Sequence, residues 1–197
     1  MFKVDPCLFM SKTVIGVVYV DDCLFWERSQ SDIDNVMKSF KEDGPSYNWE
    51  HSKEESVSEF LGIDIKALYN GGFQFCQTGL IRKVLEATGM EDCNGLPTPT
   101  KVEAPIRTDV NVSEAKIYLP NSYASVIGMM LYLASNTKLD ISFAVHQCAR
   151  FTHNTKVSHE KAVKRICRYF QGTKDNGLVF NPSKKMVVDC YADVDFA

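Results

Sequence analysis

The sequence predicts an α+β fold in which an antiparallel sheet comes first and packed helices follow. Residues 13–26 (TVIGVVYVDDCLFW) place two apolar runs on either side of an Asp-Asp pair, which is typical of a β-hairpin. Residues 120–135 and 158–171 instead repeat apolar side chains at helical spacing. Because strand patterns dominate before residue 93 and helical patterns after it, we expect sheet and helices to be segregated along the chain.

The region between the hairpin and residue 93 predicts two helices and two further strands. Ser29 or Ser31 can cap the first helix, and Asn70-Gly71-Gly72 is a strong turn between the two strands. The predicted elements are a helix that ends at Gly44-Pro45, a strand at 58–69, a strand at 73–76 and a helix at 78–88.

Residues 93–119 predict a linker that crosses the surface, because prolines and glycines cluster there around a charged stretch. We therefore expect one domain at 1–93, a helical region at 94–185 and a last segment at 186–197. The later elements are predicted as helices at 120–135, 140–151 (capped by Asp140) and 158–171 (capped by Ser158), and as short strands at 178–180 and 186–191.

The composition is that of a globular protein, with 45% hydrophobic and 24% charged residues, which excludes a disordered or collagen-like chain. The seven cysteines are widely spaced and predict separate core thiols rather than a zinc site. The histidines and the two tryptophans, Trp26 and Trp49, are predicted to have structural roles. No stretch reaches ~18 consecutive apolar residues, so we expect no membrane partner.

Tyr19-Val20-Asp21-Asp22 is the sharpest chemical feature. Adjacent carboxylates on a tight turn repel each other unless a cation lies between them, and Mg²⁺ prefers oxygen ligands of this kind. Two metal ions about 3.5–4 Å apart are the usual arrangement for phosphoryl transfer. The alternative from the residues alone is a solvated turn. Apolar strands on both sides favour the metal site, because they would bury the hairpin in a sheet and direct its tip toward a groove.

Several motifs in the same order resemble the reverse transcriptases of copia-type LTR retrotransposons. Tyr-Val-Asp-Asp between apolar strands is similar to the polymerase signature of that family. The other matches are DPCLF at 5–9, FLGI at 60–63, TP at 98–99, YASVIGMMLYL at 123–133 (YRxxxGxLxYL), TKLDISFAV at 137–145 (TRPDIxFAV) and HEKAVKRICRYFQGT at 159–173 (HWxAxKRILRYLKGT).

The resemblance implies a partial palm at 1–93, followed by a helical thumb or connection region at 94–185. It implies that Asp21 and Asp22 are catalytic and bind Mg²⁺ or Mn²⁺, with Asp21 the more direct ligand. Residues that would contact the nucleotide or the primer are Tyr19, Val20, Phe60, Leu61 and Gly62. Phe60 and Leu61 would also suit an ordinary buried strand, so the residues themselves leave their role open.

Residues 138–185 contain ten Lys or Arg and three Asp or Glu, although the whole chain has a net charge of -3. Within the helix predicted at 158–171, Lys161, Lys164, Arg165 and Arg168 fall on one face and apolar residues on the opposite side. A solvated surface helix is one interpretation. Contact with a nucleic-acid backbone is the other, and it is favoured because this helix does not mix charges of both signs.

The last twelve residues resemble the opening strand of a ribonuclease H domain. DCYADVDFA at 189–197 is similar to GYSDADWA, and Asp193 matches the first metal-binding aspartate, although Cys190 and Phe196 depart from the usual glycine and tryptophan. The family's first polymerase aspartate lies on a strand upstream of DPCLF. We therefore expect a fragment of an RNA-directed DNA polymerase that is inactive as this chain.

The resemblance also implies the partners, which are a primer–template duplex of RNA and DNA, a deoxynucleotide and the rest of the Pol polyprotein (fingers, ribonuclease H and integrase). It implies an intracellular location, in a cytoplasmic virus-like particle or the nucleus. One alternative is a remnant of a mobile element that binds nucleic acid without catalysis. Another is an unrelated structural α+β protein with a chance YVDD.

Overall fold

The computed structural model describes residues 5–20, 22–27, 30–42, 57–101 and 122–181. These residues form two antiparallel sheets and five α-helices, which confirms the α+β class. The chain divides into two compact units, Met1–Leu61 and Gly62–Ala197. None of the described helices is both long and apolar enough to cross a membrane.

The first unit contains a three-stranded sheet with strand order β1-β2-β3. Ser11 shapes the turn between the first two strands, because its hydroxyl accepts the Val14 N–H at 2.9 Å. The ring of Phe25 lies against the bare backbone of Gly16, where an added Cβ would be 2.9 Å from the ring. The described elements of this unit are β1 (Leu8–Met10), β2 (Val14–Tyr19), β3 (Asp22–Glu27), α1 (Gln30–Glu42) and β4 (Glu59–Phe60).

The second unit joins a small sheet to a group of helices. Its elements are β5 (Ile63–Ala67), β6 (Phe73–Cys76), α2 (Thr78–Thr88), α3 (Tyr123–Asn136), α4 (Ser142–Ala149), α5 (Val157–Thr173) and β7 (Leu178–Phe180). Strand β6 lies between β5 and β7 and pairs with both in antiparallel fashion. The turn at Asn70 forms as predicted, with the Asn70 side-chain oxygen accepting the Gly72 N–H at 3.0 Å.

The strand predicted at 58–69 is interrupted by a turn. Leu61 and Gly62 have φ values of 52° and 70°, the positive pair found in a type I′ turn. The pattern of alternating apolar residues continues through this turn, so the sequence does not reveal it. The helix predicted at 140–151 is also divided, into a 3₁₀ turn at Leu139–Ile141 and α4.

The main core lies among the helices of the second unit. Its fully or almost fully buried members are Ile81, Val84, Leu85, Tyr123, Val126, Ile127, Met130, Leu133, Ala134, Ile141, Ala144, Val145, Cys148, Val163, Ile166, Cys167 and Phe170. Helix α2 contacts both α3 and α5 through this core. The compact units divide between Leu61 and Gly62, and the apolar face of α2 is covered by helices that come later in the chain. The domain bounds at residues 93 and 185 stay predictions.

Buried polar groups fix the end of α5. The Lys138 side chain is 3% exposed, and its amine donates to the carbonyl and hydroxyl oxygens of Thr173, each at 3.1 Å. This places a cation at the negative end of the helix dipole. Asp140 was predicted to cap a helix but instead accepts a hydrogen bond from the Tyr169 hydroxyl. Burial lowers the pKa of Lys138, and the nearby Asp140 opposes this effect.

Two core thiols should make the protein sensitive to alkali. Burial raises the pKa of Cys148 to about 12 and that of Cys167 to about 11, from an ordinary value of 9.0. Above about pH 9 the unfolded chain releases these protons while the folded chain retains them, so stability is complete below pH 9 and decreases as the pH rises through the folded values. Urea unfolding across this range should show the decrease, and Cys167→Ala should make it less steep. If the stability of the Cys167→Ala variant decreases with pH as steeply as that of the unchanged chain, the raised pKa of Cys167 is contradicted.

Candidate active site

The Tyr-Val-Asp-Asp segment forms the tip of the β2–β3 hairpin. Tyr19 pairs with Asp22, so a turn of only two residues joins the strands. Asp22 is exposed, and the exposed fractions of Tyr19 and Val20 are 54% and 81%. Asp21 lies outside the described residues. The structure therefore places the Asp22 carboxylate at a strand turn open to solvent, where it can ligate a hydrated cation.

Val20 has a backbone conformation that valine rarely adopts. Its φ is 53°, and among the described residues it shares a positive value only with Leu61 and three glycines. A branched side chain in this region is a genuine outlier, and such strain is concentrated at active sites and ligand-binding turns. The sequence alone did not predict this strain. It could have been inferred from the register, since a two-residue hairpin turn demands positive φ values.

Replacing Val20 with glycine should stabilise the first unit. A non-glycine residue in the left-handed region costs roughly 1–2 kcal/mol, part of which is offset by the greater freedom of glycine in the unfolded chain. We expect a net gain of about 0.5–1 kcal/mol in the free energy of unfolding, measured by urea denaturation. Val18→Gly is the matched control and should destabilise, because Val18 is half-buried within β2. A loss of stability in both variants would argue against strain at the turn.

An apolar band leads along one sheet face to the tip. Ile15 lies on the same face as Tyr19, between Met10 and Trp26 on the neighbouring strands. The exposed fractions of Met10, Ile15 and Trp26 are 53%, 39% and 50%. Trp26 is half-exposed and lies opposite Ile15, so it is not a core residue, and its predicted structural role is limited to this sheet face. Trp49 lies outside the described residues.

Of the residues predicted to contact the primer, Phe60 ends strand β4, and Leu61 and Gly62 form the second turn with positive φ. Phe60 and Leu61 are half-buried, whereas Gly62 is exposed and has open space where a Cβ would lie. A sharp, partly exposed turn is compatible with a binding role and with a purely structural one. Their contact with a primer stays a prediction.

The basic face of α5 is only partly open. Lys161 is exposed, whereas Lys164, Arg165 and Arg168 are half-buried. Lys164 forms an ion pair with Glu160 at 2.5 Å, and Glu160 is itself only 3% exposed. The two arginines donate hydrogen bonds to the chain segment that follows α2. Three of these four cations are thus not fully open to solvent, and the role of the basic face toward nucleic acid stays a prediction.

Relatives of the chain are found among retrotransposon proteins. It is 30% identical over 98% of its length to the retrovirus-related Pol polyprotein from transposon RE1 of Arabidopsis thaliana, and 28% identical over 98% to that from transposon TNT 1-94 of Nicotiana tabacum. It is 31% identical over 92% of its length to the uncharacterized mitochondrial protein AtMg00810 of Arabidopsis thaliana and covers 71% of that protein. The chain belongs to the copia-type retrotransposon Pol family.

This copia-type Pol chain corresponds to a small part of the polyproteins. It spans 13% of the RE1 polyprotein and 15% of the TNT 1-94 polyprotein. No protein-family model matches it. No solved structure matches it either.

Part of the ligand set predicted for a divalent cation is visible in the Pol chain. Asp22 supplies an exposed carboxylate, the donor type that Mg²⁺ and Mn²⁺ favour. Asp21 and Asp193 lie outside the described residues. Within the described ranges, no three His, Cys, Asp or Glu side chains are close enough together to form a metal site. The exposed Asp22 carboxylate is compatible with one ligand of the predicted site, and metal binding there stays a prediction.

Histidine and cysteine side chains have mainly structural surroundings. His159 is 1% exposed, its ring stacks on Phe151 at 4.0 Å, and its Nδ1 accepts the Lys156 N–H. Helix α5 therefore begins at Val157. The side chain that accepts a backbone N–H at its start is that of His159, whereas Ser158 was the predicted cap. Cys76, Cys148 and Cys167 are buried as predicted, whereas Cys7 and Cys93 are half-buried and Cys23 is exposed, so the prediction of core thiols is wrong for these three.

Proposed function

We propose that this chain is the palm-to-connection part of an RNA-directed DNA polymerase, with Asp21 and Asp22 as carboxylate ligands of Mg²⁺ or Mn²⁺. The observation that carries the proposal is the pairing of Tyr19 with Asp22, which places the exposed Asp22 carboxylate beside the strained backbone of Val20 at a hairpin turn of a copia-type Pol chain. A helix or an apolar pocket at this position would have excluded such a site.

The chemistry of the hairpin follows from its position. Carboxylates at the tip would hold divalent metal, which neutralises charge on the nucleotide phosphates and on the attacking primer hydroxyl. Tyr19 and Val20 project from the same tip into solvent and are available to contact the primer end or the nucleotide. The family's first catalytic aspartate lies on an earlier palm strand, so polymerisation is proposed for the Pol polyprotein that includes this strand.

Metal binding by the chain itself tests the proposal. Mn²⁺ should broaden the amide signals of Tyr19 and Cys23 in NMR spectra, because a paramagnetic ion at the turn lies close to both. Asp21→Asn combined with Asp22→Asn should abolish the effect. Asp92→Asn is the control, because Asp92 is an exposed carboxylate far along the sequence from the hairpin. Broadening that is centred elsewhere, or that survives the double substitution, would exclude the hairpin as the metal site.

A second candidate function is nucleic-acid binding without catalysis. It is favoured by the excess of basic residues at 138–185 and by the exposed Lys161 on α5. Duplex binding that persists after the hairpin aspartates are replaced, with no incorporation by a polymerase assembled from the chain, would support this function instead. Asp193 is proposed as a ribonuclease H ligand in the polyprotein on the basis of its motif alone.

A further inference from the structure

The residues that follow α2 lie along the C-terminal half of α5 and cover part of its basic face. We define the strap as residues 91–98, with the sequence EDCNGLPT. The Leu96 N–H donates to the Arg168 carbonyl at 3.0 Å, and the Gln171 side chain donates to the Glu91 carbonyl at 2.8 Å. These hydrogen bonds join the backbone of the strap to one face of the helix.

Two glycines allow the close approach of the strap to the helix. A Cβ added to Gly95 would lie 3.1 Å from the Gly172 Cα, and one added to Gly172 would lie 3.7 Å from the Gly95 Cα. The two backbones therefore meet here without side chains between them, which lets the strap form its hydrogen bonds to the helix.

Two arginines of α5 donate hydrogen bonds to uncharged acceptors in the strap. Arg165 donates through Nη2 to the Thr98 hydroxyl at 2.8 Å, and Arg168 donates through Nε to the Asn94 carbonyl at 2.9 Å. Arg165 Nε is buried without a hydrogen-bond partner, and within the described residues neither guanidinium is paired with a carboxylate. Each guanidinium is cationic, so a phosphate adds Coulombic attraction and can accept two parallel N–H bonds, neither of which a hydroxyl or a carbonyl oxygen provides. A phosphate is therefore a better partner for both arginines than the strap.

We propose that the strap is a displaceable cover that competes with nucleic-acid phosphates for Arg165 and Arg168. Duplex binding then releases residues 94–98 from α5, and the closed strap weakens binding by the free chain. This inference rests on the nucleic-acid part of the proposed function, and it adds an autoinhibitory contact within the second unit.

Thr98→Val tests the competition, because valine keeps the shape of threonine and removes the acceptor of Arg165. Its affinity for a hybrid RNA–DNA duplex should be about three- to tenfold higher than that of the unchanged chain, the factor by which one net hydrogen bond shifts an equilibrium. The dependence of log K on log salt should become steeper by about 0.9 for each additional phosphate contact. Adding Arg165→Met should remove the gain. Thr100→Val is the matched control, since Thr100 bonds only the adjacent Lys101 carbonyl.

Hydrogen exchange at the Leu96 amide gives an independent readout. Exchange should accelerate when duplex binds, because release of the strap breaks the bond to Arg168. Equal affinities for the Thr98→Val variant and the unchanged chain, with Leu96 protection unaltered in the complex, would overturn the strap proposal and leave duplex binding intact. Failure of both proteins to bind duplex at low salt would overturn the nucleic-acid function itself, and the strap proposal with it.

Discussion

Asp21→Asn, in a polymerase assembled from this chain and the upstream palm and fingers of a copia-type reverse transcriptase, should lower the rate of primer extension at least about a thousandfold. Stabilisation of transition-state charge by a metal ion contributes several kcal/mol, and each 1.36 kcal/mol corresponds to a factor of about ten in rate. Asparagine keeps the size of the side chain but removes the negative charge that attracts the cation. Single-turnover incorporation on an RNA template measures the effect.

The control for this experiment is Glu86→Gln, which should leave the rate unchanged because Glu86 is an exposed carboxylate on α2, outside both the hairpin and the strap. Asp22→Asn should also impair extension, although less than Asp21→Asn if Asp21 is the more direct ligand. If the Asp21→Asn enzyme extends the primer at a rate within about tenfold of that of the unchanged enzyme, the hairpin is not part of the catalytic site. The duplex affinity of each variant should be measured in parallel, so that a binding defect is not taken for a catalytic one.

Phe170→Ala should destabilise the second unit by about 3–5 kcal/mol, the usual cost of removing a buried phenylalanine. The Phe170 side chain is 0% exposed and belongs to the core that α2, α3, α4 and α5 share. The cavity left by the ring is lined by residues on several helices, which cannot all move inward together. Chemical denaturation monitored by circular dichroism measures the change.

Phe143→Ala is the matched control, since the Phe143 side chain is 63% exposed. Its effect should stay within about 0.5 kcal/mol, as for most surface substitutions. If both variants lose a comparable amount of unfolding free energy, Phe170 is not the core residue that the structure shows. A small loss for Phe170→Ala alone would indicate that the helices repack around the missing ring.

Local patterns in the sequence were enough to predict most of the elements. The helix at 78–88 and the strands at 73–76 and 178–180 have the predicted bounds, because their apolar periods are regular and turn residues flank them. The turn at Leu61 was missed, since a leucine is not an expected residue at positive φ. Helix α5 begins one residue before the predicted Ser158, and the His159 ring, not a serine hydroxyl, accepts the Lys156 N–H at this end.

Buried polar side chains were the least predictable part of the molecule. Lys138 and Glu160 are each 3% exposed, and Gln77 is 1% exposed with its amide oxygen accepting the Thr137 hydroxyl. The partners of Lys138 and Gln77, which are Thr173 and Thr137, are distant in the sequence. No period or motif reveals such a pairing, because the cost of burial is offset only by groups that folding brings together.

By itself, the sequence determined the α+β class, the hairpin with its exposed aspartate and the copia-type Pol resemblance, since these depend on side-chain alternation, on turn length and on ordered motifs. Only the tertiary structure decided where the compact units divide, that Val20 is strained, and that Arg165 and Arg168 are covered by the strap. The physical reason is the range of the interactions. Alternation and helical period are local, whereas the partner of a guanidinium more than sixty residues away is chosen by packing of the whole unit.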